Sequence, residues 1–211
     1  MRRLRLHWLL WKQVDAEQSR VARTRHTRFW SEDHLARNRI VIIGNSGAGK
    51  SFLAQALAGQ LALPVINLDD IFWLDASYTT KRPGDQVWAA IDGLREQDRW
   101  VVEGVYGSMV ERLLDRADLL IWVALPWAEC SRSLVERELT RHPHRSPEME
   151  KSFEALMVYA AAYDQRTNDI SRQGHQRLFD LFTGMKRVFE SRAQVDAFLA
   201  RFEPPSRLLV H

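Results

Sequence analysis

The chain has 211 residues, 45% of them hydrophobic and 27% charged, a balance that suits one globular domain with a sizeable core plus appendages. The single cysteine, Cys130, excludes an internal disulfide framework and fits a reducing cytosol, and no apolar run approaches the roughly 18 residues that cross a membrane. Net charge is +3 but uneven: residues 1–39 hold ten Lys or Arg against four Asp or Glu, which makes that segment +6 and residues 40–211 −3.

Residues 1–38 therefore read as a basic extension in front of a domain spanning 39–211. Its opening, "MRRLRLHWLLWKQ", is too short and too interrupted for a secretion signal. Leu4, Trp8, Trp11 and Val14 recur at helical spacing and predict an amphipathic helix. Such a segment can lean on its own core, a partner protein, nucleic acid or an anionic membrane surface. Next comes "RIVII", a continuous apolar run that predicts a parallel strand buried on both faces.

Gly44, Gly49, Lys50 and Ser51 then fill the fixed places of G-x-x-x-x-G-K-[ST], with Asn45, Ser46, Gly47 and Ala48 between them. In this pattern backbone N–H groups converge on an anion at a helix N-terminus. Lys50 reaches the outer phosphates from what is expected to be a solvated loop, and the Ser51 hydroxyl holds Mg²⁺. The helix that follows presents Leu53, Ala56, Leu57 and Leu61 at core spacing and stops before Pro64. "PVINL" predicts strand two, "DQVWAAIDGLREQ" a helix, "RWVVEG" strand three and "DLLIWVALP" strand four. Helices follow over "WAECSRSLVERELTR", "MEKSFEALMVYAAAYDQR" and "ISRQGHQRLFDLF"; "MKRVF" is strand five and "RAQVDAFLARF" a closing helix. Strands alternating with helices mean a doubly wound α/β fold with a five-stranded parallel sheet.

Ligands in such sheets lie beyond the carboxyl ends of the strands, so the residues just past each strand are the candidates. After strand two stand Asp69 and Asp70, then Phe72 and Trp73; after strand three stand Glu103 and Tyr106. A carboxylate at Asp69 or Asp70 is placed to accept a hydroxyl proton, the other to cap the helix beginning at Ile71. Glu103 is placed to orient Mg²⁺ through its waters. Arg137 and Arg141, four apart on one helix, precede the proline-broken "HPHRSP" and suggest a lid over residues 130–147, with Arg132 and Arg145 as alternates. The competing reading is a solvated face paired with Glu136 and Glu138.

The stretches "IIGNSGAGKS", "LDDIFW", "RWVVEGVY" and "RLLDRADLLIWVALP" resemble the bacterial adenylate-kinase-like P-loop proteins, often labelled DNA topology modulation or flagellar-regulator-type proteins. "LDDIFW" is also similar to the aspartate-bearing element of uridine and nicotinamide riboside kinases. The resemblance covers 39 to about 202 and implies MgATP as donor and an acceptor site between strands two and three. The expected function is ATP-dependent phosphoryl transfer to a small hydroxyl-bearing, nucleoside-like acceptor in the cytoplasm, with Lys50, Asp69, Asp70, Arg137 and Arg141 catalytic. Phe72, Trp73 and Tyr106 would wall the acceptor. One alternative is a nucleoside monophosphate kinase, for which Lys81, Arg82 or Arg112 would clamp the acceptor phosphate. Another is an ATP-switched regulator contacting nucleic acid through residues 1–38, with Trp8, Trp11 and Trp30 available for stacking.

Overall fold

The computed structural model describes residues 38–75, 78–142, 144 and 146–200. The chain divides between Arg37 and Asn38 into two units, and the described residues all lie in the second. The expectations for the basic extension, including its amphipathic helix and its three tryptophans, therefore lie outside the described residues, as does Arg145.

Five strands, β1 (Arg39–Gly44), β2 (Val65–Asn67), β3 (Trp100–Gly104), β4 (Leu119–Val123) and β5 (Met185–Phe189), form one all-parallel sheet in the order β2-β3-β1-β4-β5. This is the expected doubly wound α/β architecture of the P-loop fold. The three central strands are almost wholly buried, which is why their sequences are unbroken apolar runs and not alternations. Val41 and Ile43, Trp100 and Val102, and Leu120 and Trp122 point to one face, where they join Val87, Ile91, Leu178 and Phe182 in a common core. At the other end of the chain segment, Arg39 forms an ion pair with Asp118, whose carboxylate also accepts from the Asn38 and Arg39 amides and so fixes where β1 enters the sheet.

The helices are α1 (Lys50–Leu61), α2 (Leu68–Phe72), α3 (Gly84–Arg95), α4 (Gly107–Glu111), α5 (Trp127–Arg141), α6 (Pro147–Ala161), α7 (Arg172–Leu181) and α8 (Arg192–Leu199). Ser146, Ser171 and Ser191 cap α6, α7 and α8 by accepting a backbone N–H from the first turn. Among the described residues, no helix is long and apolar enough to cross a membrane.

Three expectations need correction. First, α1 buries Leu53, Ala54, Leu57 and Ala58, whereas Ala56 and Leu61 are only partly buried. Small side chains at 54 and 58 let the helix lie close on the sheet, so its inner face is rotated from the one that leucine spacing suggests. Second, β2 stops at Asn67, and "LDDIF" winds into the one-turn helix α2. Its cap is Asn67, whose side chain accepts from the Asp69 amide at 2.9 Å, so neither aspartate serves as the cap. Third, α4 follows β3 within "GSMVE", too short and too weakly patterned to be read from sequence.

A buried polar chain ties the last third of the fold to the end of β3. The Trp122 indole Nε1–H donates to the Tyr163 hydroxyl at 3.2 Å, and that hydroxyl meets His175 Nδ1 at 2.6 Å. His175 Nε2 lies 2.9 Å from the Val105 carbonyl, which only accepts. The proton therefore sits on Nε2, and Nδ1 accepts from Tyr163. Burial, opposed by the Val105 hydrogen bond, pulls the His175 imidazole down to about 4. The unfolded chain binds that proton near pH 6.5, so this neutral histidine contributes full stability above 6.5 and loses it as pH falls toward 4. Relative to His175→Gln, the wild type should lose about 3 kcal/mol across that window, read from urea midpoints at stepped pH. Parallel pH slopes for the two proteins would disprove it.

Candidate active site

The phosphate loop runs from Gly44 to Ser51 between β1 and α1. Gly47 (φ +78°) and Gly49 (φ +91°) occupy the left-handed region that side chains rarely adopt. Gly47 is also pressed against α5, where an added Cβ would collide with the Cys130 carbonyl oxygen and the Leu134 side chain; at Gly49 the space in front of the loop is open. The Asn45 side chain braces the loop from the other direction, with Nδ2 donating to the Ala160 carbonyl at 2.9 Å and Oδ1 accepting from the Ser46 amide at 2.8 Å.

Lys50 is not in a solvated loop as expected: only 8% of it is exposed. Its Nζ donates to the Asn45 carbonyl at 3.0 Å, and among the described residues no carboxylate pairs with it. A buried ammonium without an anion is unfavourable unless an anion arrives. Open space in front of the loop at Gly49 and an uncompensated cation suit a polyphosphate. Beside it, the Ser51 hydroxyl donates to Glu103 Oε1 at 2.7 Å, and Glu103 is 97% enclosed at the end of β3. Ser51 and Glu103 could thus hold Mg²⁺, directly or through its waters.

Strand register brings the acceptor candidates alongside. Asn67 of β2 is level with Glu103 of β3, and Glu103 with Ile42 of β1. Asp69 therefore lies two residues, and Tyr106 three, beyond the row that carries Glu103. The Tyr106 hydroxyl donates to Asp69 Oδ1 at 2.7 Å and accepts from the Trp73 indole at 2.9 Å. The Tyr106 ring stacks on Phe72 at 4.7 Å, and Phe72 meets Trp73 edge-on at 5.0 Å. Burial and then the Asp69 charge raise the Tyr106 phenol well above its ordinary value, so it stays a donor. Asp70 is exposed and carries no such partner among the described residues.

The 73–81 turn closes through an antiparallel bridge between Trp73 and Lys81, and its Tyr78 lies edge-on to Trp73 at 6.3 Å. Burial and then Asp69 and Asp70 raise the Tyr78 phenol, while Arg137 and Arg141 oppose them. The two exposed arginines of α5 and the two aspartates of α2 thus act on one hydroxyl with opposite sign. Of the remaining candidate cations, Arg82 and Arg112 are committed to protein groups. Arg82 donates to the carbonyls of Ile71, Asp70 and Trp73, locking the turn after α2. Arg112 pairs with Asp92 and lies over the Trp88 ring in a shallow groove with Ser108 and Glu111. Lys81 sits 5.6 Å above the Phe72 ring. Arg192 contacts Ser133 and Glu129 of α5.

Sequence reading missed the Tyr106–Asp69 bond, whose partners stand thirty-seven residues apart with no spacing signal to link them. Tyr159 lies under the Arg166 guanidinium at 4.0 Å; burial raises its phenol, Arg166 opposes, and Asp169 and Asp69 add to the rise.

No protein-family model matches the chain. The uncharacterized protein YqaC of Bacillus subtilis (strain 168) is 26% identical over 148 residues, 66% of this chain and 81% of that one. A gluconokinase from Sinorhizobium meliloti 1021 superposes with a TM-score of 0.46 at 19% identity, covering 79% of this chain and 93% of that one. A shikimate kinase from Bacteroides thetaiotaomicron gives 0.46 at 18%, covering 79% and 96%. A sugar kinase from Janibacter sp. HTCC2649 gives 0.45 at 11%, covering 78% and 91%. At these scores the likenesses carry no argument about activity, which rests on the geometry alone.

The two left-handed glycines should respond differently to alanine. Gly49→Ala adds only backbone strain, about 1–2 kcal/mol. Gly47→Ala adds that strain and a clash with the α5 backbone, so its thermal destabilisation should be at least twice as large. Equal melting shifts would mean that α5 does not brace the loop.

Proposed function

We propose that the chain is an ATP-dependent kinase that phosphorylates the hydroxyl of a small uncharged acceptor. The observation that carries this reading is the pairing of two features at one sheet edge: a phosphate loop with an unpaired buried lysine, and an aspartate presented in an aromatic cleft. In this scheme the triphosphate lies along residues 44–51, with Lys50 on the outer phosphates. Mg²⁺, held by Ser51 and Glu103, neutralises phosphate charge when bound. Asp69 Oδ1 is occupied by Tyr106, and Oδ2 takes the proton of the acceptor hydroxyl. The acceptor oxygen bonds to the γ-phosphorus as the bond from that phosphorus to the β–γ bridging oxygen breaks, leaving ADP. Arg137 and Arg141, at the lid over 130–147, meet the charge spread over the transferring group.

Phe72, Trp73 and Tyr106 would line the acceptor, which favours a flat or ring-shaped molecule. The monophosphate alternative needs a cationic clamp. Arg82 and Arg112 are already engaged by carbonyls and by Asp92, which favours a neutral acceptor over a phosphorylated one. In this reading residues 1–38 are an appendage to the catalytic domain 39–211, and contact with nucleic acid or a partner protein through them is a separate, regulatory matter. The resemblance to the DNA topology modulation type is compatible with it and names no substrate.

The test is a panel of adenosine, uridine, AMP, UMP, D-ribose and D-gluconate with MgATP, scored for ADP release above the rate without acceptor. A nucleoside or D-ribose should turn over; a monophosphate or the anionic D-gluconate as the best substrate would overturn the neutral-acceptor reading. Asp69→Asn should reduce turnover by about 10²- to 10⁴-fold with little change in ATP affinity. Asp70→Asn, exposed and not a cap, should stay within about threefold; the reverse order would move the base to Asp70. Lys50→Ala should lower turnover by roughly 10²-fold or more. Because it removes a buried unpaired charge, its folding stability should equal or exceed wild type; wild-type turnover would sink the kinase reading.

A further inference from the structure

The Trp73 indole can only donate, so the Tyr106 oxygen must accept from it, and the one phenolic proton is left to point at Asp69 Oδ1. The Tyr106 ring has little freedom to turn away, since it is stacked on Phe72 and its backbone starts α4. Its neighbour Val105 is tied in turn to His175. Asp69 sits in the first turn of a five-residue helix that would not by itself hold a carboxylate in one rotamer. Among the described residues, Oδ2 has no protein hydrogen-bond partner.

We infer that Tyr106 is a positioning residue for the Asp69 base, with Trp73 setting the direction of its hydroxyl. The Trp73–Tyr106–Asp69 relay occupies Oδ1, aims Oδ2 into the cleft, and ties the residues that wall the acceptor to the residue that deprotonates it. Binding of a ring against Phe72 and Trp73 then reports on the alignment of the carboxylate. This inference rests on the kinase reading with Asp69 as base, and it assigns Tyr106 a role that wall-lining does not require. A wall residue loses affinity when its hydroxyl is removed; a positioning residue loses rate.

The full chain supplies two measurements. Tyr106→Phe keeps the ring and its stack and removes only the hydroxyl. With MgATP and adenosine, uridine or D-ribose, whichever the panel shows to be turned over, kcat should fall by about tenfold or more while both KM values stay within about twofold. The second readout needs no acceptor. The Trp73 indole N–H resonance, assigned by its absence from Trp73→Phe, should shift in Asp69→Ala when Tyr106 is present. It should not respond to Asp69→Ala in a Tyr106→Phe background. Wild-type kcat in Tyr106→Phe, or a Trp73 resonance that responds to Asp69→Ala equally in both backgrounds, overturns the positioning role. If Asp69→Asn is inactive in the same assays, that failure leaves the base reading standing. Full turnover in Asp69→Asn removes the base reading and this inference together.

Discussion

The uncompensated ammonium of Lys50 is the feature around which the domain is organised. It is enclosed, held only by the Asn45 carbonyl, and left without a carboxylate, so the loop is stable as a loop chiefly because neighbours brace it. Those neighbours are the two helices after β4. Gly47 lies flat on the α5 backbone at Cys130, and Asn45 reaches the last turn of α6 at Ala160. The segment read as a lid, 130–147, thus includes its own anchor: Cys130 and Leu134 of α5 are buried against the loop, and the exposed Arg137 and Arg141 lie beyond them. Cys130 itself is buried behind the loop, and burial pushes its thiol up to about 11, which makes it packing and not a nucleophile.

A second constraint acts on the acceptor half. The end of β3 carries Glu103, Val105 and Tyr106 in succession, and each is tied to a different part of the molecule. Glu103 meets α1 through Ser51, Val105 meets α7 through His175, and Tyr106 meets α2 through Asp69. Gly104 between them has no room for a side chain, because its Cβ would come within 2.7 Å of Leu68. A strand end fixed at four successive residues can hold a metal-orienting acid and a base-orienting hydroxyl in constant relation. The neutral, buried His175 belongs to this scaffold, and its burial makes that scaffold sensitive to acid.

Charge sorts the possible acceptors. On the proposed acceptor side stand Asp69, Asp70 and aromatic rings, with Lys81 over Phe72, while the nearby guanidinium of Arg82 is spent on three carbonyls. Lys50 stands instead at the phosphate loop, and Arg137 and Arg141 act on Tyr78 beside the aromatic wall. Such a split, a cation for the triphosphate and an acid for the hydroxyl, is the charge arrangement that phosphoryl transfer to an alcohol asks for.

The α/β class, the five strands and the phosphate loop were legible in the sequence because each is a local pattern. An apolar run, a glycine pair and a 3.6-residue period depend on near neighbours and need no knowledge of what packs against them. Helix α5 and strand β5 run over the very residues their patterns mark. What failed was where two signals competed: at "LDDIFW" the strand pattern overran a one-turn helix, and Asn67 took the capping role assigned to an aspartate. The Tyr106 bond to Asp69, the commitment of Arg82 and Arg112, and the burial of Lys50 could not be read from sequence. Asp69 meets Tyr106 from thirty-seven residues away and Arg112 meets Asp92 from twenty. Arg82 turns back on carbonyls nine to twelve residues off, and Lys50 lies under a loop that Asn45 ties to the Ala160 carbonyl. Local spacing specifies which chemistry a segment can offer, and only the tertiary packing decides which of its groups are already satisfied and which remain open to a ligand.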